Sequence, residues 1–92
     1  MAQRLPRRLS PKAKYRLVRA GADERVRSLV KTAGVTDPDD LLSRVAALGG
    51  TMRSWDRETG LLTVDLPAVQ LGNLAELDGV VQVDAEDAYR PS

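Results

Sequence analysis

The feature that most constrains the fold is a pair of strand-like segments separated by a five-residue turn. Residues 51–55 and 61–66, which read TMRSW and LLTVDL, have the composition of strands, and the apolar residues of the second segment alternate. The turn ends at Gly60, a residue that adopts positive φ without strain. The sequence therefore predicts a hairpin, whose apolar face other elements must cover.

Helix signals flank the predicted hairpin on both sides. Before it, Asp37 is a capping residue and Pro38 suits the first helical position, so a helix is predicted over residues 37–48. After it, Pro67 opens a shorter helix that ends at a turn before residues 80–85. That last segment, VVQVDA, is predicted to be a strand with Val81 and Val83 on one face and Gln82 and Asp84 on the other.

The segment before residue 37 is predicted to contain the first strand and an additional helix. Residues 15–20 (YRLVRA) mix β-forming and polar side chains, which predicts a strand. Residues 23–33 place apolar side chains at i, i+3, i+4 and i+7, which predicts a short helix with Asp23 as its cap.

The predicted order is strand, helix in two pieces, strand, strand, helix, strand, an α+β chain of the ferredoxin-like βαββαβ type. Right-handed crossovers place the helices on one face of a four-stranded antiparallel sheet, with one extra short helix at 23–33. The other face stays open, and an open sheet face usually binds a partner. The domain is predicted to span residues 15–86, between a flexible basic arm at 1–14 and a tail at 87–92.

Composition restricts the chemistry. The 92 residues include no Cys, no His and no Phe, so the core must consist mainly of Leu, Val and Ala. The commonest general base, metal ligand and thiol nucleophile are missing, and we predict that the chain is not an enzyme and needs no cofactor or metal. The acids Asp37, Asp39 and Asp40 lack the glycine-spaced loop of a calcium site and are interpreted as a helix start.

Charge is unevenly distributed, although the net charge is only +1. Residues 1–20 carry seven basic and no acidic side chains, whereas residues 76–92 carry five acids and one Arg. The basic end could contact phosphates, but the aromatic signature of sheet-type RNA-binding domains is missing, which favours a solvated arm or one paired with the acidic end. Without an apolar segment behind this basic end, we expect no membrane association and, unless a signal has been lost, a cytoplasmic location.

A more specific pattern occurs near the C-terminal end. Residues 74–86 read LAELDGVVQVDAE, that is, Leu-x-x-Leu-x-Gly-Val-x-x-Val-acid-x-acid. Together with the GGT turn at 49–51 and the hairpin, this pattern resembles the propeptide domains of subtilisin-like serine proteases and their free-standing peptidase inhibitor relatives. The resemblance covers roughly residues 15–20 and 37–92. It implies a protein-binding module that inhibits or chaperones a subtilisin-like serine protease.

The resemblance also implies which residues bind the protease. In that family two acids after the last Val accept hydrogen bonds from the N-termini of two protease helices, and Asp84 and Glu86 match them with the acid types exchanged. The tail then enters the active-site cleft as a product-like strand, with its last residue at the primary specificity pocket and its aromatic residue in the fourth. The tail residues are Tyr89, Arg90, Pro91 and Ser92.

These residues also have structural interpretations. Asp84 and Glu86 could be a solvated strand end, and Tyr89 could fold back onto the sheet. Trp55, which the resemblance adds to the protease-binding set, could be a packing residue. The chief alternative function is a regulatory or scaffold module that binds another protein through the open sheet, and a further alternative is an RNA-binding domain.

Overall fold

A computed structural model describes residues 8–21, 24–35 and 37–86 of the chain. The elements in chain order are α1 (Pro11–Val18), β1 (Arg25–Thr32), α2 (Asp39–Ala47), β2 (Thr51–Asp56), β3 (Leu61–Pro67), a 3₁₀ turn (Ala68–Gln70), α3 (Leu71–Ala75) and β4 (Val80–Ala85). The strands form one antiparallel sheet in the order β2-β3-β1-β4. From β1 onwards this is the predicted ferredoxin-like βαββαβ plan, which is confirmed.

The first strand and the extra helix occur in the opposite order to the one predicted. The strand predicted at 15–20 is wrong, because residues 11–18 form α1, and the predicted boundary between arm and domain at residue 14 falls inside that helix. The helix predicted at 23–33 is also wrong, because residues 25–32 form the central strand of the sheet. The extra helix therefore precedes the βαββαβ unit instead of lying within its first crossover.

The spacing of apolar residues explains the error at β1. Val26 and Val30 are four residues apart, which fits one face of a helix and equally fits every second residue of a strand. Ser28 and Thr32 continue the alternation, and all four of these residues are buried. Leu29, which completed the apparent helical stripe, lies on the other face of the sheet and is half-buried.

Helix α1 begins with a strong N-terminal signature. The Ser10 Oγ accepts the Ala13 N–H at 3.1 Å, and Pro11 occupies the first turn. Ala13 is fully buried, and Leu17 and Ala20 pack against the core from the same side at i+4 and i+7. This side faces β4, α3 and the 3₁₀ turn, so α1 joins the helical layer.

One face of the sheet is buried beneath the helices. The sheet residues that point into this core are Val26, Ser28, Val30, Thr32, Leu62, Val64, Leu66, Val80, Val83 and Ala85. Leu41 and Val45 of α2 and Leu71 and Leu74 of α3 cover them. The buried hydrophobic residues are all Leu, Val or Ala, as the composition predicts.

The predicted hairpin and the helix before it are confirmed. The Asp37 Oδ1 accepts the Asp39 N–H at 3.0 Å, and α2 begins at Asp39. Gly60 ends the hairpin turn with φ +71°, and its carbonyl accepts hydrogen bonds from the Thr32 N–H at 2.9 Å and the Thr32 hydroxyl at 2.7 Å. The hairpin turn is thereby joined to the end of the central strand.

The predicted alternation of β4 is wrong at its start. Val83 is buried as predicted, but Val81 is 48% exposed, and Val80 is buried in its place. The cause is a register shift in the pairing with β1, where Lys31 pairs with Gln82 but Thr32 pairs with Val80. Because of this shift, Val81 is not paired with any residue of β1.

Two glycines with nearly the same left-handed φ provide a matched test of the hairpin contact. A Cβ on Gly60 (φ +71°) would lie 3.0 Å from two Thr32 oxygens, whereas Gly34 (φ +73°) has open space around it. We expect Gly60→Ala to lower the free energy of unfolding by roughly 2–4 kcal/mol, and Gly34→Ala by about 1–2 kcal/mol from the backbone alone. Denaturant unfolding followed by circular dichroism measures both, and equal losses would contradict a structural role for the contact.

Candidate protein-binding surface

The face of the sheet opposite the helices is accessible around the C-terminal half of β1, between the start of β3 and the middle of β4. A shallow depression of about 190 Å³ lies there, lined by Leu29, Lys31, Leu61, Gln82 and Asp84. These residues occupy the alternate positions that do not point into the core, and Leu61 is 39% exposed although it is apolar. We call the whole sheet face opposite the helices the open face. Its accessible part, the depression, combines apolar contacts with a polar rim.

The other end of the open face is covered by its own side chains. Arg25 donates from Nη2 to the carbonyls of Gly49 at 3.1 Å and Asp65 at 3.2 Å. The Asp65 side chain is buried, and Arg27 and Thr51 lie opposite it on the neighbouring strands. The accessible part of the open face is therefore the end nearest Asp84.

The carboxylate of Asp84 is held in place at the edge of this depression. Its Oδ1 accepts hydrogen bonds from the Ser10 hydroxyl at 2.6 Å and the Ala85 N–H at 2.8 Å. The Ser10 hydroxyl, then the Ala85 N–H, and to a smaller extent the positive charge of Lys12, lower the pKa of Asp84 below its ordinary value of 3.8, against the opposing effect of burial. Asp84 is therefore an ionised, oriented carboxylate at neutral pH.

Glu86 lies on the same side of the chain as Asp84. Ala85 between them is buried and both acids are exposed, which is the alternation of an extended strand. The Glu86 N–H donates to the Arg27 carbonyl at 2.9 Å, so the pairing with β1 continues one residue beyond β4. The structure brings the two predicted acids together at the open face, and their contact with a protease stays a prediction.

Of the remaining predicted site residues the structure describes only Trp55, and it is not part of this arrangement. Trp55 pairs with the buried Leu62 and packs against the core, so it lies on the helix-covered face. Its position supports the packing interpretation and separates it from Asp84. Tyr89, Arg90, Pro91 and Ser92 lie outside the described residues.

The two described aromatic residues, Tyr15 and Trp55, do not form a stacking platform on the open face of the sheet. Tyr15 is on α1, where the guanidinium carbons of Arg16 and Arg19 lie 5.5 and 5.2 Å from the centre of its ring. Trp55 is on the covered face, so the open face has no aromatic side chain among residues 8–21, 24–35 and 37–86. RNA binding by base stacking on this sheet is therefore not favoured.

The acidic side chains and the helices of the described ranges bear on metal and membrane binding. No three acidic side chains there are grouped as a metal site. The Asp37 carboxylate accepts the Asp39 N–H at the start of α2, but Pro38 occupies the N-cap position instead of the first helical position predicted for it. None of the helices in the same ranges has the length and hydropathy of a membrane span.

Sequence reasoning missed the N-terminal contribution to the site. Leu9 is buried and Ser10 binds Asp84, although both were assigned to a flexible arm. The dipeptide Ser10-Pro11 was the available signal, because Ser before Pro is typical of a helix start. The charge asymmetry left open an arm paired with the acidic end, but nothing in the sequence selected Ser10 as the partner of Asp84, which is 74 positions away.

The comparison with protein families agrees with this architecture. The model of a family described as "Putative peptidase inhibitor domain" matches residues 16–86, from the second half of α1 to the residue after β4. Because this match spans most of the 92 residues, the chain belongs to that family. No curated protein matches the chain. Family membership supports a peptidase-inhibitor role and implies a protease as partner.

The lowered pKa of Asp84 predicts how stability depends on pH. Because the folded-state pKa lies below 3.8, the carboxylate stabilises the fold above that pH, and this contribution is lost as the pH falls through the folded-state pKa. The unfolding free energy of the wild type should therefore fall more steeply between about pH 4 and pH 2 than that of Asp84→Asn. Denaturant titrations across this range measure both slopes, and parallel curves would show that Asp84 does not stabilise the fold.

Proposed function

We propose that the chain inhibits a subtilisin-like serine protease by docking its open face on the protease surface, and that it is not itself a hydrolase. The observation that carries this proposal is the pair of exposed carboxylates, Asp84 and Glu86, on the open face of the sheet in a chain of the peptidase inhibitor family. The resemblance of residues 74–86 to subtilisin propeptides selects the class of protease.

The open face offers the contacts that such docking needs. Leu29 and Leu61 provide apolar area at the centre, and Lys31 and Gln82 provide polar groups at its rim. A carboxylate attracts the exposed N–H groups and positive dipole end of a helix N-terminus. Two such carboxylates two residues apart on an extended chain would orient the inhibitor on a pair of protease helices.

The tail is proposed to occupy the active-site cleft. It follows Glu86 directly, so it starts at the edge of the docking surface. In the register that the resemblance implies, residues 89–92 would lie in the cleft as a product-like strand, bound by main-chain hydrogen bonds. Docking of the open face would then supply affinity, and the tail would block access of substrate to the catalytic residues.

A purified subtilisin and a chromogenic peptide substrate provide the test. We expect the wild type to inhibit, and removal of residues 89–92 to abolish inhibition with the circular dichroism spectrum unchanged. Replacing both Asp84 and Glu86 by Ala should raise the inhibition constant roughly 3- to 30-fold, mainly through faster dissociation. Glu76→Ala is the matched control, because Glu76 is an exposed acid at the end of α3, away from the open face.

Three outcomes would contradict parts of this proposal. Absence of inhibition by the wild type would reject a subtilisin as the partner and favour a scaffold role for the open face. Equal potency without residues 89–92 would reject the product-like mechanism. A loss of binding free energy from Glu76→Ala that is half as large as the loss from the double substitution would show that the two carboxylates act only through net charge.

A further inference from the structure

The segment before α1 lies outside the matched family region and is bound to the outer edge of β4. The match begins at residue 16, whereas Leu9 forms a parallel bridge with Val83. The Val83 N–H donates to the Arg8 carbonyl at 2.7 Å, and the Ser10 N–H donates to the Val83 carbonyl at 2.8 Å. Leu9 is also 3% exposed and belongs to the core. The Ser10 backbone is therefore fixed beside Asp84.

The hydroxyl of Ser10 makes two hydrogen bonds, one as acceptor and one as donor. It accepts the Ala13 N–H at 3.1 Å, which caps α1, and it donates its one proton to the Asp84 Oδ1 at 2.6 Å. The Ala85 N–H reaches the same oxygen at 2.8 Å. Two donors thus hold one oxygen of the carboxylate, and no hydrogen bond from the described residues reaches Oδ2, which stays available to a partner.

Holding the carboxylate before binding has a thermodynamic consequence. A side chain at an exposed strand end samples several rotamers, and fixing it in a complex costs conformational entropy. The Ser10 hydroxyl, carried on a fixed backbone, and the Ala85 N–H reduce this cost because they already hold the carboxylate in the free protein. Lys12 of α1 adds an electrostatic attraction to the Asp84 carboxylate, and Lys31 of β1 lines the same depression.

We propose that Ser10 is a positioning residue for protease binding, which presents the Asp84 carboxylate in its bound orientation and joins this task to the capping of α1. The inference rests on the proposed function for its protease-binding part. It goes beyond the matched family region, since the residue that orients the acid belongs to the segment that precedes the match.

Three substitutions separate capping from positioning. Ser10→Thr retains a hydroxyl for both tasks. Ser10→Asp retains a good helix cap but has no proton to donate at neutral pH and repels Asp84. Ser10→Ala loses both functions. Thermal melts should therefore rank Ser10→Asp above Ser10→Ala, because only the former keeps the cap of α1.

The free protein tests positioning without any protease. NMR side-chain couplings and a carboxyl titration report the rotamer and the pKa of Asp84. We expect one rotamer and a lowered pKa in the wild type and Ser10→Thr, and averaged rotamers with a higher pKa in Ser10→Asp and Ser10→Ala. A single unchanged rotamer of Asp84 in both Ser10→Asp and Ser10→Ala would overturn the positioning role.

Inhibition of a purified subtilisin tests the consequence. We expect Ser10→Asp and Ser10→Ala to raise the inhibition constant about three- to tenfold, and Ser10→Thr to change it less than about twofold. In the Asp84→Ala background the Ser10 substitutions should have no further effect. Inhibition by Ser10→Asp at the wild-type level would overturn the inference. Absence of inhibition by the wild type and every variant would reject the proposed function, and the NMR measurement alone would then decide whether Ser10 positions Asp84.

Discussion

The pairing of β1 with both β3 and β4 is the constraint on which the rest of the structure depends. Val30 lies opposite Leu62 on one side and Val83 on the other, which builds the centre of the core. The same register places Leu29 opposite Asp84 on the open face. Because side chains alternate along a strand, a slip of one residue would exchange the two faces. Burial of the valines and exposure of the carboxylate are therefore consequences of one register.

The helices and the N-terminal segment complete this arrangement without covering the open face. Helices α1, α2 and α3 all lie on the core side, and residues 8–10 pair with the outer edge of β4. That edge is thereby protected from pairing with other chains, while β2 at the opposite edge is interrupted by a register shift near Arg53. Both edges of the sheet are therefore occupied or irregular, which leaves the open face as its accessible surface.

The sequence predicted those parts of the fold that carry redundant local signals. The hairpin is indicated by alternating apolar residues, a polar turn and Gly60. Helix α2 is indicated by an Asp, a Pro and an apolar stripe, so several independent patterns predict each element. Helix α1 and strand β1 are short, and their apolar residues fit both helical and strand periods, so local patterns could not decide between them. The two acids were found from a motif, but the bond from Ser10 to Asp84 is non-local and is visible only in the folded chain.

Hydroxyl-radical footprinting of the complex with subtilisin tests most directly the claim that the open face is the docking surface. Leu29 and Leu61 lie on that face, whereas Tyr15 (51% exposed) and Val69 (46% exposed) lie on the helical side and serve as internal controls. We predict that binding reduces oxidation of Leu29 and Leu61 and leaves Tyr15 and Val69 unchanged. Protection of Tyr15 and Val69, with Leu29 and Leu61 still oxidised as in the free protein, would contradict this account.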